Sequence, residues 1–203
     1  MAVPMSEQEI HGQGCRQRIV AAALEVFREC GYRASVDRVA RQAGVARQTI
    51  YNHFASKPAL FAAVLQEGCA AHRARLLNAD GSLAERLLHF AEGMQANLLT
   101  LEAINLHRLL THEAPRFPEL AAQVYVNGVQ ATGQQLAGML SQAMRDGEMR
   151  EDDPQLAADI FLDVVVSHDR ARLLFCMPLP DTAAQRVLLQ RRVEVFLRAY
   201  VRS

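Results

Sequence analysis

The chain has 203 residues, of which 50% are apolar and 22% charged, and its formal net charge is zero. This composition is typical of a folded globular protein and excludes a disordered one, and the length accommodates one domain or a small module joined to a larger one. Asp159, Asp163 and His168 interrupt even the most apolar stretch, which excludes a membrane-spanning segment. Since the N-terminal sequence lacks a basic start followed by an apolar run, we expect no secretory signal.

The charged residues are unevenly distributed along the chain. Residues 11–60 carry eight basic and three acidic side chains, a net charge of +5, whereas residues 61–203 carry a net charge of −3. A basic N-terminal module favours a polyanionic partner, although a small solvated helix can be basic without a function.

The four cysteines lie far apart and form no Cys-x-x-Cys pair: Cys15, Cys30, Cys69 and Cys176. This spacing excludes a zinc ribbon and a dense disulfide framework and favours the reducing cytoplasm. A redox switch through Cys15 or Cys30 stays open as an alternative function.

Glycine and proline separate stretches of helical periodicity along the whole chain, which predicts an all-α protein of nine helices. The first four predicted helices cover about residues 16–30, 36–43, 46–52 and 57–77. Gly31 is the predicted C-cap of the first helix, and Ser35 and Ser56 are the predicted N-caps of the second and fourth.

Five further helices are predicted in the remaining chain. They cover about residues 82–99, 101–111, 118–145, 154–175 and 182–201. Asp181 or Thr182 is expected to cap the last of them. Its apolar stripe at spacings of four and three is expected to enter the core of the subunit: Leu189, Val193, Phe196 and Tyr200.

Residues 35–53 have the pattern of a helix-turn-helix unit, with a tight turn at Gly44. In such a unit the second helix enters the major groove of DNA. Ile50 and Phe54 are expected to be buried and to hold this helix against its neighbours. The remaining face consists of Arg47, Gln48, Thr49, Tyr51, Asn52 and His53.

These side chains suit the recognition of double-stranded DNA. An arginine such as Arg47 can donate two hydrogen bonds to guanine, and Gln48 or Asn52 can pair with adenine in the same bidentate way. The hydroxyl groups of Thr49 and Tyr51 suit phosphate oxygens. Lys57 adds a cation beside free backbone N–H groups at the start of the fourth helix.

Residues 18–65, which include the segment IVAAALEVFRECGYRASVDRVARQAGVARQTIYNHFASKPALFAAVL, resemble the DNA-binding domain of the TetR family of bacterial transcriptional regulators. The resemblance rests on the AA..VF..CGY pattern, the AGV turn, the TIYNHF helix and the SK that follows it. The later helices, with the turn EAPRFPEL, resemble the ligand-binding and dimerisation domain of that family. Family members are mostly homodimeric repressors that leave DNA when a small molecule binds.

The resemblance implies a role for individual positions. Family positions that usually contact phosphates correspond to Thr49, Tyr51 and Lys57. Positions that more often face bases correspond to Arg47, Gln48 and Asn52. The small hydroxyl at the start of the second helix corresponds to Ser35. Two positions depart from the pattern: Ala46 replaces a common serine or threonine, and Asp37 would repel a nearby phosphate.

The resemblance also implies that different segments of the chain have different functions. The predicted segments are a flexible tail over 1–15, the DNA-binding domain over 16–55, and the ligand-binding and dimerisation domain over 56–203. We therefore expect a cytoplasmic homodimer that binds a double-stranded DNA operator, with a partly apolar small-molecule effector, no cofactor and no membrane partner. The effector, the operator and the direction of regulation stay open.

Candidate effector-binding residues are those that would line a pocket between helices, where a few polar groups orient a ligand. They are Phe90, Met94, Asn97, His107, Tyr125, Asn127 and His168. The last two helices are expected to form the dimer interface, as a four-helix arrangement about a two-fold axis. The side chains expected there are Ile160, Val164, Ser167, Ala171, Leu174, Leu188, Val195 and Ala199.

Two other kinds of site were weighed. His107 and His112 are five residues apart, unlike the pair of a zinc-binding helix, so with Glu113 they are expected to be ordinary polar residues rather than metal ligands. His168 and Asp169 lie near Ser167, but no catalytic motif accompanies them, so we expect no enzyme. A helical small-molecule enzyme with a vestigial DNA module is the alternative.

Overall fold

The computed structural model describes residues 7–30, 33–64, 67 and 80–201. These residues form nine helices and no strand, which confirms the predicted all-α class. The first four are α1 (Glu7–Cys30), α2 (Val36–Ala43), α3 (Arg47–His53) and α4 (residues 57–64). The next two are α5 (Leu83–Leu98) and α6 (Leu101–Glu113). The predicted Gly31 cap, the end of α4 at Leu77, Cys69 and residues 1–6 lie outside the described residues.

Two of the last three helices contain a π-helical segment. The helix α7 comprises Pro118–Val124, the π-helical Tyr125–Gln130 and Ala131–Arg145. The helix α8 comprises Pro154–Leu162, the π-helical Asp163–Ser167 and His168–Leu174. The helix α9 covers Thr182–Tyr200. The sequence predicts α7 and α8 as uninterrupted helices. It does not predict the π-helical turns, because such a turn changes the hydrogen-bond pattern and no particular residue type marks it.

The predicted start of α1, at about Arg16, is wrong because the helix begins at Glu7. The predicted tail over 1–15 therefore includes helical residues. Gly12 and Gly14 lie within this helix, and each glycine costs about 1 kcal/mol relative to alanine in a helix. A helix that already exists gains a hydrogen bond for each added residue, and this gain offsets the free-energy cost of the two glycines.

The first four helices enclose a core of their own. Its fully buried side chains include Ile19, Ala23, Val39, Ile50 and Leu60. The rings of Phe27 and Phe61 meet edge to face, with their centroids 4.9 Å apart. Leu106 of α6 packs against this cluster, so the N-terminal unit is joined to the rest of the molecule through α6.

A second core lies between α5, α7, α8 and α9. Its largest fully buried side chains include Phe90, Leu136, Leu140 and Phe161. The predicted stripe of α9 is buried here, with 3–4% exposure at each of its four residues, which confirms its place in the core of the subunit. Among the described residues, no helix is long and apolar enough to span a membrane.

Side-chain caps define the starts of several helices. The Ser35 hydroxyl accepts a hydrogen bond from the backbone N–H of Arg38 at 3.2 Å, as predicted for the cap of α2. Ser82 and Glu85 form a capping box at the start of α5. Asp181 caps α9 through the N–H of Ala184 at 2.9 Å. Each such cap satisfies backbone donors that the helix cannot pair by itself.

Polar contacts fix α8 against its neighbours. Asp169 is buried and forms an ion pair with Arg192 of α9, while the side chain of Gln95 in α5 lies 3.4 Å from the same carboxylate. At the C-terminal end of α8, Arg108 of α6 donates hydrogen bonds to the carbonyl oxygens of Leu173 and Leu174, at 2.9 and 2.7 Å. These contacts connect α5, α6 and α9 to α8.

Candidate DNA-binding surface and effector cavity

The turn between α2 and α3 depends on Gly44. Its backbone lies in the left-handed region, with φ of 64°, and its N–H donates to the last carbonyl groups of α2. Other residues adopt this conformation at a cost that glycine does not have. On the far side of the turn, Ile50 and Phe54 are 1% and 5% exposed. This burial confirms that they anchor α3 and leave its opposite face to solvent.

Arg47 is held in a defined position at the start of that face. Its Nη1 lies 3.3 Å from both carboxylate oxygens of Asp37, and its Nη2 lies 3.5 Å from the Tyr51 hydroxyl. The guanidinium group also lies 5.5 Å from the centre of the Tyr51 ring. The hydrogen bond with Tyr51 and the charge of Asp37 raise the pKa of Arg47. Asp37 therefore acts as a partner of this arginine within the chain.

The other predicted DNA-contacting residues lie on or beside α3. Gln48 and Asn52 are exposed, and the Gln48 amide donates to Asn52 Oδ1 at 3.1 Å. Thr49 and Tyr51 are half-buried on the same helix. Ser35 is placed one helix earlier, at the start of α2, where its hydroxyl serves as the N-cap.

Lys57 lies in the first turn of α4, next to Ser56. The Ser56 hydroxyl accepts a hydrogen bond from the N–H of Ala59 at 3.2 Å, which confirms the predicted N-cap. Lys57 is half-buried, and burial lowers its pKa. His53, at the opposite end of α3 from Arg47, lines a cavity instead of lying with the exposed residues of the helix.

This cavity has a volume of about 670 Å³ and lies between the N-terminal unit and the body. Its walls come from α1, α3, α4, α5, α6, α7 and α8. Five of the seven predicted effector-binding residues line it: Met94, Asn97, His107, Tyr125 and Asn127. The other two do not, because Phe90 is fully buried in the second core and His168 is exposed elsewhere on α8.

Sequence reasoning missed the charged residues of the cavity on α8. Asp159, Asp163 and Arg170 line it together with Ser167. Spacings of four, four and three residues place all of them on one face of a helix. A polar stripe of this kind in an otherwise apolar helix was a signal that could have identified them.

The residues considered as metal ligands and redox cysteines have other contacts. His112 Nδ1 lies 3.4 Å from Glu113 Oε1, and within the described ranges no three metal-ligating side chains converge. The thiol of Cys30 accepts a hydrogen bond from Arg38 at 2.7 Å.

Two family models match the chain. That of the TetR family of bacterial regulatory proteins matches residues 19–64, and that of the C-terminal domain of AefR-like transcriptional repressors matches residues 85–202. The chain belongs to the TetR family. It is therefore a DNA-binding transcriptional regulator. The TetR-family model covers α2 and α3, which carry the exposed face around Arg47.

Individual TetR-family proteins support this assignment. The transcriptional regulator UidR of Escherichia coli K12 is 27% identical over 158 residues, which are 72% of each chain. A structure of a TetR-family regulator from Mesorhizobium loti superposes with a TM-score of 0.78 at 24% identity, over 94% of this chain and 98% of the other. The flavonoid-responsive regulator FrrA gives a TM-score of 0.70 at 28% identity, over 93% and 98%.

Proposed function

We propose that the protein is a homodimeric repressor that binds a palindromic operator and releases it when a small molecule occupies the cavity. The observation that carries the proposal is the extent of the cavity. Arg16, His53 and Phe54 of the N-terminal unit line it together with Asn97 and Tyr125 of the body. A molecule in this cavity would contact the end of the recognition helix and the body at once.

Such a molecule can control DNA binding by linkage. A ligand shifts an equilibrium between two domain arrangements only by the difference between its affinities for them. Because the cavity wall is divided between the two regions, a change in their relative position changes the ligand's contacts. The cavity volume lies in the range of sites for drug-sized molecules, and FrrA, a relative of similar fold, is responsive to flavonoids.

Dimer formation is supported by apolar side chains exposed on the last two helices. Val187 and Val195 of α9 are 64% and 53% exposed, and Leu156 of α8 is 50% exposed. Soluble monomers rarely expose large contiguous apolar patches. We propose that a second copy of the chain covers this face in a two-fold interface.

A charge substitution tests the interface. Val195→Glu is expected to give a monomer in sedimentation at micromolar concentration and to weaken operator binding, because a buried carboxylate would have no partner. Leu101→Glu, at a residue of α6 that is 69% exposed, is the matched control and should remain dimeric. A wild-type monomer under the same conditions would contradict the dimer proposal.

The DNA proposal is tested with three substitutions on operators selected from duplex DNA, where an inverted repeat with half-site centres about 34–36 Å apart is expected. Arg47→Ala is expected to cost about 1–3 kcal/mol per half-site and to relax preference at one base pair. Tyr51→Phe should weaken all sequences equally and leave the salt dependence unchanged. Lys57→Ala should reduce the slope of log K against log salt by about 0.9 per subunit.

The results separate base contacts from phosphate contacts. A uniform loss for Arg47→Ala, with base preference intact, would place Arg47 on the phosphate backbone and assign sequence recognition to Gln48 or Asn52. Normal binding by all three variants would contradict the assignment of α3 as the recognition helix.

A further inference from the structure

The charges of the cavity are separated along α8. Asp159 and Asp163 lie toward the start of the helix, and Arg170 lies near its end. Arg170 follows Asp163 by seven positions, which corresponds to about 10 Å along a helix axis. One wall of the cavity therefore has an acidic end and a basic end.

The basic end has a cation available for a ligand. Arg170 is half-buried, and among the described residues it takes part in none of the ion pairs or hydrogen bonds of the structure. His107 of α6 lines the cavity near it, and burial, followed by the charge of Arg170, lowers the pKa of His107. A neutral imidazole leaves the guanidinium as the charge at this end. A partly buried charge without a counter-charge favours an anionic partner.

The acidic end is more solvated and retains capacity to accept hydrogen bonds. Asp159 Oδ1 accepts from the Gln155 amide at 2.9 Å, and Asp163 Oδ1 accepts from the Ser167 hydroxyl at 2.8 Å. Each ionised carboxylate has about four acceptor positions, so one hydrogen bond leaves room for donors of a ligand. Both aspartates are exposed, and electrostatic attraction is weaker there than at the half-buried arginine.

The cavity wall also has apolar parts. Met94 and Val166 are buried, and Leu98 and Leu106 are half-buried. An aliphatic or aromatic portion of a ligand would remove these side chains from water. The cavity thus favours a mainly apolar molecule with two different polar ends.

We propose that the effector is an elongated, mainly apolar carboxylic acid whose carboxylate binds Arg170 and whose opposite end donates hydrogen bonds to Asp163 or Asp159. The inference rests on the proposed role of this cavity as the effector site. It assigns to Arg170 the strongest polar contact and to the aspartates a weaker preference for a donor group.

Four compounds of equal chain length test the two ends: octanoate, 8-hydroxyoctanoate, octan-1-ol and octylamine. Calorimetric titration of the full-length protein at pH 7.5 should show octanoate binding about tenfold more tightly than octan-1-ol, a difference of about 1.4 kcal/mol. The hydroxyl group of 8-hydroxyoctanoate should strengthen binding further. Octylamine should bind more weakly than octanoate, because its ammonium group would pair with the exposed aspartates, where electrostatic attraction is weaker than at the half-buried Arg170.

Three variants identify the groups responsible. Arg170→Gln should abolish the preference for octanoate over octan-1-ol, and Arg170→Lys should restore part of it. Asp163→Ala combined with Asp159→Ala removes both carboxylate acceptors and should abolish the advantage of the hydroxyl group. Arg145→Gln, at an exposed arginine of α7 that is absent from the cavity wall, is the control and should bind all compounds as the wild type does. Thermal unfolding followed by circular dichroism verifies that each variant is folded.

Several outcomes would overturn the inference. They are failure of octanoate to bind, equal binding of octanoate and octan-1-ol, tightest binding of octylamine, or equal losses of acid and alcohol in Arg170→Gln. Operator binding without ligand, measured on the same samples, keeps the repressor proposal separate. Release of the operator by octan-1-ol but not by octanoate would overturn the charge assignment and leave the effector site in place. Arg170-dependent octanoate binding without any effect on operator affinity would support the charge assignment and overturn the role of the cavity as the effector site.

Discussion

The N-terminal unit and the body of this regulator pack their helices in different ways. In the N-terminal unit, the long α1 and the shorter helices after it close over one core. Neighbouring segments supply the contacts, as Ser35, Gly44 and Ile50 illustrate. The body combines a core with a large cavity, and two of its helices contain π-helical turns that line that cavity. A surface that recognises DNA requires a fixed shape. A site for a small molecule requires space and polar groups, which close packing would eliminate.

The largest expected losses of stability come from truncating one buried side chain in each of the two cores. Ile50→Ala should destabilise the protein by about 2–5 kcal/mol and abolish DNA binding, whereas Phe161→Ala should cost about 3–5 kcal/mol, with dimer formation weakened by damage to the body. Urea unfolding followed by circular dichroism and sedimentation measures both. If Ile50→Ala also dissociated the dimer and Phe161→Ala spared it, the two regions would not be structurally distinct.

A smaller effect concerns the ion pair of the body. Asp169→Ala should cost about 3 kcal/mol, because it leaves the largely buried guanidinium of Arg192 without its counter-charge. The matched control is Glu194→Ala, which removes an exposed ion pair with Arg191 and should cost less than about 1 kcal/mol. Equal losses in urea unfolding for the two variants would show that burial does not distinguish the pairs.

The helix caps offer a direct comparison between the two regions. Ser35→Ala in α2 and Ser82→Ala in α5 should each cost about 1 kcal/mol, since each removes an acceptor for a free backbone N–H. Ser35→Ala should also reduce operator affinity through the position of α3, the proposed recognition helix. Operator titrations measured beside urea unfolding check this, and a loss of affinity in Ser82→Ala alone would contradict it.

The smallest effect is a pH dependence at the start of α5. Hydrogen bonds from the Ser82 backbone N–H and then from its hydroxyl lower the pKa of Glu85 below its ordinary value of 4.5. A lowered pKa in the folded state means that this stabilisation is present above pH 4.5 and is lost as the pH falls through the lowered pKa. Glu85→Gln should therefore flatten the melting temperature against pH in this acidic range, and Ser82→Ala should do so in part. A profile identical to that of the wild type would argue against the capping box.

Local signals in the sequence predicted much of the N-terminal unit. Ser35 and Ser56 are caps because their hydroxyl groups serve the next turn of the same chain. Ile50 and Phe54 are buried because they recur at helical spacing beside polar neighbours. The position of α1 was less predictable, since helix propagation competes with the cost of two glycines and the balance is small.

The cavity was only partly predictable, because it arises from contacts between distant segments. His107 lies on α6 and Tyr125 lies on α7. No local signal in the sequence indicates that both line the same cavity. Phe90 is a large apolar residue in a region expected to bind a ligand, but it is fully buried in the core. The helical spacing of apolar residues does not distinguish a side chain that packs in a core from one that lines a cavity. The charged face of α8 was visible in the sequence, whereas the void opposite it was not.

The hydrogen bonds of Arg108 have a consequence for the local stability of the body. The guanidinium of this α6 residue occupies carbonyl groups at the end of α8 that would otherwise bind water. Backbone amides of Phe175 and Cys176, which donate to Ala171 and Leu173 at 3.1 Å, belong to the same turn. The end of α8 can thus open only if its carbonyl groups also release the side chain of Arg108, which belongs to α6, one of the helices that line the cavity. Hydrogen exchange at these amides and around Arg108 would then follow one cooperative opening, which a ligand bound against α6 would slow.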